Sequence, residues 1–178
     1  DNVTLNATSH TGDANGVRGT ASAGESIVTA TDKVTVTAET TADGSSAYGV
    51  YYGGAQGNAT LSGTGVEIIA KSVTGTARSL DGATVDAATV TAAAEATGNG
   101  LAGAIGGAVD RTFVGNADSV TGTAVSGGSA YGNEGAVIKT NGSGSITLTA
   151  TSGGEAADST AYGNQLGSLT AENGSITV

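Results

Sequence analysis

Apolar and polar residues alternate in short runs that return along the whole chain. Six of them read Asn2-Val-Thr-Leu-Asn-Ala7, Lys33-Val-Thr-Val-Thr-Ala38, Gly65-Val-Glu-Ile-Ile-Ala70, Thr89-Val-Thr-Ala-Ala-Ala94, Ser119-Val-Thr-Gly-Thr-Ala124 and Ser145-Ile-Thr-Leu-Thr-Ala150, and Ser175-Ile-Thr-Val178 opens a seventh. Side chains of an extended strand alternate with period two, so Val34, Val36 and Ala38 share one face while Thr35 and Thr37 share the other. Successive starts lie 31, 32, 24, 30, 26 and 30 residues apart. A recurring unit with loops of variable length is the signature of a solenoid. Stacking the copies predicts an inward column of Val3, Val34, Val66, Val90, Val120, Ile146 and Ile176. A second column follows, of Leu5, Val36, Ile68, Ala92, Gly122, Leu148 and Val178. No single repeat could bury such a face alone.

Two more strand segments recur within each repeat. One carries Ala47-Tyr48-Gly49, Ala130-Tyr131-Gly132 and Ala161-Tyr162-Gly163, with looser counterparts around Gly16 and Gly100. The other sets Ile27, Leu61, Val85, Val137 and Leu169 ahead of turns at Thr31-Asp32, Gly63-Thr64-Gly65, Asn141-Gly142 and Asn173-Gly174, where Asn, Asp and Gly suit left-handed corners. Three strands per turn predict an all-β parallel β-helix, a β-solenoid of about six three-stranded coils of 24–32 residues that spans 1–178 as one segment. Six coils at ~4.8 Å each would rise ~29 Å. Thr, Val, Ser and Gly are poor helix formers, and only Ala87 to Ala96 reads as helical. A β-sandwich also uses short alternating strands, but it would not repeat one inward pattern six times.

Composition sharpens this picture. The chain has 31 Gly and no Pro, Cys, Met or Trp, yet 38% of its residues are hydrophobic, which separates it from a disordered glycine-rich linker. Absence of Pro suits strands that are bonded on both sides. With 16 acidic and 6 basic residues the formal charge is −10, and Arg18, Lys33, Lys71, Arg78, Arg111 and Lys139 are scattered singly. This argues against nucleic acid and makes an anionic membrane surface a poor partner, since both need clustered Lys and Arg. No apolar run is long enough to insert this segment into a membrane as a helix. The chain opens on one repeat strand and stops on another, and is expected to belong to a longer repetitive protein or filament. Its first expected partner is thus another copy of itself, or more of the same solenoid, along the axis.

Segments such as Gly167-Ser-Leu-Thr-Ala-Glu-Asn-Gly-Ser-Ile-Thr-Val178 and Asn141-Gly-Ser-Gly-Ser-Ile-Thr-Leu-Thr-Ala150 resemble the repeats of filamentous haemagglutinin-type adhesins and autotransporter passengers. The resemblance implies a right-handed parallel β-helix, secreted and displayed on a bacterial cell surface. It implies a structural or adhesive role toward a host or bacterial glycan or protein. The Ala-Tyr-Gly triplet is also similar to the short repeats of trimeric autotransporter heads, without their tight spacing.

Candidate chemistry is sparse. A Ser or Cys triad lacks its parts, because there is no Cys and the one histidine, His10, sits among Ser9, Thr11 and Gly12. Asp81, Asp86, Asp110, Arg111 and Asp118 fall in adjacent coils and form the one set that could serve a carbohydrate-active β-helix enzyme through paired carboxylates. Acidic residues decorating solvated turns are the preferred reading of them. Neither an EF-hand loop nor a Gly-Gly-x-Gly-x-Asp array is present. The sequence thus assigns no catalytic, cofactor-binding or metal-binding residue, and no cofactor. Thr4, Thr35, Thr91, Thr121, Thr147 and Thr177 would stand in register, with Thr37, Thr123 and Thr149 beside them, as on an ice-binding face. Asn6, Glu67, Ile69 and Ala93 interrupt that array, and Thr is also an ordinary exposed strand residue. Asn-x-Ser/Thr triplets at Asn2, Asn6, Asn58, Asn141 and Asn173 are possible glycan acceptors.

Overall fold

The structure, a computed structural model, describes residues 1–19, 25–52, 59–107, 112–154 and 158–178. Its first coil consists of β1 (Val3–Ser9), β2 (Ala14–Gly19) and β3 (Ser26–Thr29). The second begins with β4 (Lys33–Thr40) and β5 (Ala47–Tyr52), and passes into β6 (Ala59–Ser72). From there a long strand closes each coil and opens the next without a break. The order continues β7 (Ala77–Asp81), β8 (Ala83–Ala96), β9 (Leu101–Gly106), β10 (Phe113–Ser126), β11 (Ser129–Glu134) and β12 (Val137–Ser152). Last come β13 (Ala161–Gln165), β14 (Ser168–Ala171) and the short rung β15 (Ile176–Thr177).

Every pairing is parallel, and the strands stack as a right-handed β-solenoid with three faces. The first face runs β1, β4 and the second halves of β6, β8, β10 and β12, to β15. The second runs β2, β5, β7, β9, β11 and β13. The third runs β3, the first halves of the four long strands, and β14.

On the first face the expected column is continuous: Val3, Val34, Val66, Val90, Val120, Ile146 and Ile176 pair in register from coil to coil. Leu5, Val36, Ile68, Ala92, Gly122 and Leu148 form the second. Interior members are buried, because coils above and below cover them. The terminal members depart from expectation: Val3 and Leu5 are half-buried, and Ile176 and Val178 are exposed, since each has a neighbouring coil on one side only.

The third face shows a slip. Ile27 pairs with Thr60 and points outward, 66% exposed, while Val28 pairs with Leu61. Val137 likewise faces out, and the inward column is Val28, Leu61, Val85, Val114, Ile138 and Leu169. The corners differ too. Gly63-Thr64-Gly65 and Asn141-Gly142 lie inside continuous strands, so the passage from third to first face is mainly a bend within a strand, and of these residues only Gly142 has a left-handed backbone. Left-handed residues concentrate instead after the second face, at Gly82, Gly106, Gly135 and Leu166.

Sequence size patterns set the distance between faces. A Cβ on Gly49 would lie 2.3 Å from Cγ2 of Ile68 and 2.7 Å from the Ser79 carbonyl oxygen, and one on Gly16 would lie 2.3 Å from Cγ1 of Val36. The glycines of the Ala-Tyr-Gly triplets thus seat the bulky second column of the first face. In the middle coils the sizes are traded: Ser79 and Ala104 occupy the glycine column, while Ala92 and Gly122 occupy the bulky one. Around Gly122 the space is filled by neighbouring side chains instead, Leu148 and Ile105 lying against it, as close packing requires.

Candidate functional site

The residues that could carry chemistry are dispersed over the three faces and their corners. His10 stands at the first corner, where its Nδ1 lies 2.8 Å from Thr41 Oγ1. Asp81 ends β7 on the second face, and its carboxylate lies over Gly107. Asp86 and Asp118 are exposed on β8 and β10 of the other sheet, Asp86 with its Oδ1 3.5 Å from Asn116 Nδ2. Asp110 and Arg111 lie outside the described residues. The described members of the candidate carboxylate set are therefore divided between two sheets. Among the described residues no group of three or more His, Cys, Asp or Glu side chains is placed to share a metal ion.

The Thr array has the register foreseen. Thr91, Thr121, Thr147 and Thr177 run unbroken, and Thr123 and Thr149 pair beside them. Glu67, Ile69 and Ala93 break the rows toward the other end, and Lys33 Nζ reaches Glu67 at 2.6 Å across the first column. Of the glycan-acceptor triplets, Asn58 lies outside the described residues. The Asn2 side-chain oxygen accepts a hydrogen bond from the Lys33 amide, and Asn141 Nδ2 donates to the Asn116 carbonyl, so both tie one coil to the next.

The outer surface of the second face carries four of the five tyrosines, with Arg18, Arg78, Asp81 and Glu134 among them. One outward column reads Asn15, Tyr48, Arg78, Gly103, Tyr131 and Tyr162, and the next reads Arg18, Tyr51, Asp81, Gly106, Glu134 and Gln165. Tyr131 and Tyr162 stack with ring centroids 5.6 Å apart and planes 12° apart. Tyr48 and Tyr51 meet at 4.4 Å, with Arg18 5.9 Å from the Tyr51 ring centre. Between the two tyrosine pairs, Arg78 runs over Gly103 and donates to Glu134 at 2.7 Å and to the Gly106 carbonyl at 3.3 Å. This largely buried ion pair ties the third coil to the fifth across the fourth.

Two ladders that the strand pattern does not reveal hold the corners. Thr40, Ser72, Ser126 and Ser152 each donate to a carbonyl of the preceding coil's corner, namely Gly12, Ser45, Gly100 and Gly128. Each also accepts a backbone N–H of its own turn. At the next corner Asn133 replaces the aliphatic residues Val17, Val50, Leu80 and Ile105 below it, and donates to Asn164 at 2.7 Å. A corner that cannot pair its backbone with itself is satisfied by side chains.

Beside the hydroxyl ladder, along the corner between the first and second faces, lies a cleft of about 460 Å³ that Tyr131 helps to line. It is open, with polar and apolar lining in similar measure, and it spans loops of four coils. The repeat alignment marks Tyr131 but not its loop partners. Comparison of the chain with family models, with characterised proteins and with solved structures finds no match.

Proposed function

We propose that this chain is part of a non-catalytic extracellular scaffold, of the filamentous haemagglutinin or autotransporter-passenger kind, that extends from or coats a bacterial cell and stacks or continues along its axis. The observation that carries the reading is the first face, whose rungs keep one register from Val3 to Ile176. Such a ladder builds length and repeats the same surface at each rung, which is what a stalk or coat requires. The solenoid geometry is compatible with axial self-stacking. Among the described candidates, His10 meets Thr41 at a corner and Asp86 lies beside Asn116, and their dispersal over separate faces supports a structural role.

Immunogold labelling of intact source cells with antibody to this segment tests the location. Label on extended surface structures is expected, and label confined to the cell interior contradicts the proposal. Incubation of the chain with a panel of polysaccharides tests the rest: release of reducing or unsaturated ends, abolished in Asp81→Asn, would establish the enzymatic alternative instead.

A further inference from the structure

The cleft at the first corner is built differently from the rest of the surface. Its floor is a column of glycines, Gly75, Gly100 and Gly128, one from each of three successive coils. A Cβ on Gly100 would lie 1.9 Å from the Gly75 carbonyl oxygen, and one on Gly128 2.3 Å from that of Gly100. Side chains cannot stand there, so the floor is peptide backbone. Thr74, Thr76, Asn99, Ser129 and Asp158 line the cleft as well, and the apolar wall comes from Leu101 and Tyr131. The Thr74 hydroxyl is engaged by Asp43 and the Gly44 amide and that of Ser129 by Thr160, which leaves the amide of Asn99 and the carboxylate of Asp158 as polar groups for a ligand.

We propose that this cleft binds a neutral pyranose unit of a glycan, with Tyr131 against the sugar's C–H face and Asn99 and Asp158 bonded to its hydroxyls. A pyranose has one surface of C–H groups and a rim of hydroxyls that both donate and accept. Tyr supplies an apolar face with a polar tip, and its ring is held in place by stacking on Tyr162, which lowers the ordering cost of binding. The Asp158 carboxylate takes two hydroxyl donors, and the Asn99 amide offers both a donor and an acceptor. Among the described residues no Lys or Arg lines the cleft, and the chain carries a formal charge of −10, so a phosphate, sulfate or uronate would be repelled. The cleft, of about 460 Å³, is open to solvent along the corner, so a sugar ring in it could continue into a longer glycan. The assignment goes beyond the scaffold reading and stands apart from it: a surface scaffold whose cleft binds no sugar would refute this proposal alone.

Titration of the ¹⁵N-labelled full chain with maltose, cellobiose, lactose and chitobiose, and with digalacturonate as the anionic probe, decides the matter. At least one neutral disaccharide is expected to give saturable amide shifts centred on Gly100, Gly128, Ser129 and Tyr131. Tyr131→Ala should weaken that binding by about tenfold or more, a change of about 1.4 kcal/mol. Asn99→Ala, at an exposed loop position, should weaken it without touching the core, which keeps the test decisive if Tyr131→Ala disturbs its coil. Tyr48→Ala, on the same face but outside the cleft, should leave it unchanged. Shifts by none of the neutral sugars, by digalacturonate alone, or of equal strength in Asn99→Ala would overturn the proposal.

Discussion

Replacement of Leu166 by glycine should stabilise the last coil. Leu166 turns the chain from β13 into β14 with φ at 57°, in the left-handed region, where the equivalent corner residues Gly82 and Gly135 have φ of 80° and 74°. A side chain in that region costs about 1–2 kcal/mol through contact of its Cβ with the following carbonyl. Leu166 recovers little of this by burial, being 88% exposed. Glycine removes the strain but adds about 0.5–1 kcal/mol of chain entropy lost on folding, so the net gain is about 0.5–1 kcal/mol. Because solenoid coils open from their ends, the gain should be clearest locally. Hydrogen exchange is the assay: amides of β13 and β14 should slow by about two- to fivefold in Leu166→Gly, a range that follows from that gain. Leu166→Ala keeps the Cβ and serves as the control, with little change expected. Faster exchange in Leu166→Gly, or an equal gain in Leu166→Ala, would show that the left-handed corner carries no strain worth relieving.

Three other perturbations follow from the packing. Gly49→Ala should lower stability by about 1–3 kcal/mol in chemical denaturation, as overpacking does, and Gly49→Ala combined with Ile68→Ala should cost less than the sum of the two. Glu134→Gln should cost about 1–3 kcal/mol by leaving Arg78 without a charged partner, less than full burial would exact because the pair is partly exposed. Its effect should persist in high salt, whereas loss of the exposed Lys33–Glu67 pair should not register there. The broken threonine rows predict no thermal hysteresis in chilled solution, and a clear freezing-point gap would favour the ice-binding alternative.

The first face could be read from the residues because a β-branched residue there is followed by Thr or another polar residue in most copies, and period two then fixes both strand and face. Where two apolar residues adjoin, as at Ile27-Val28 and Val137-Ile138, the pattern permits either parity, and the structure turns Val28 and Ile138 inward. Corner positions are ambiguous in the sequence for a different reason. A bend inside a continuous strand and a left-handed corner both recruit glycine, and only the backbone distinguishes Gly63 from Gly82. The Arg78–Glu134 tie joins residues 56 positions apart across an intervening coil, so no local pattern signals it. The cleft was invisible for the same reason, being assembled from loops of four coils, although the Ala-Tyr-Gly triplets had singled out its tyrosine.

Pulsed electron-spin distances along the threonine column test the stacked architecture most directly, and the absence of cysteine makes labelling clean. Cysteine pairs at Thr35 with Thr121, Thr35 with Thr147, and Thr4 with Thr147 span three, four and five coil steps. The parallel solenoid predicts mean separations that grow by ~4.8 Å with each step, from ~14 Å to ~24 Å between backbone positions. Separations that do not rise with the number of coils would contradict it.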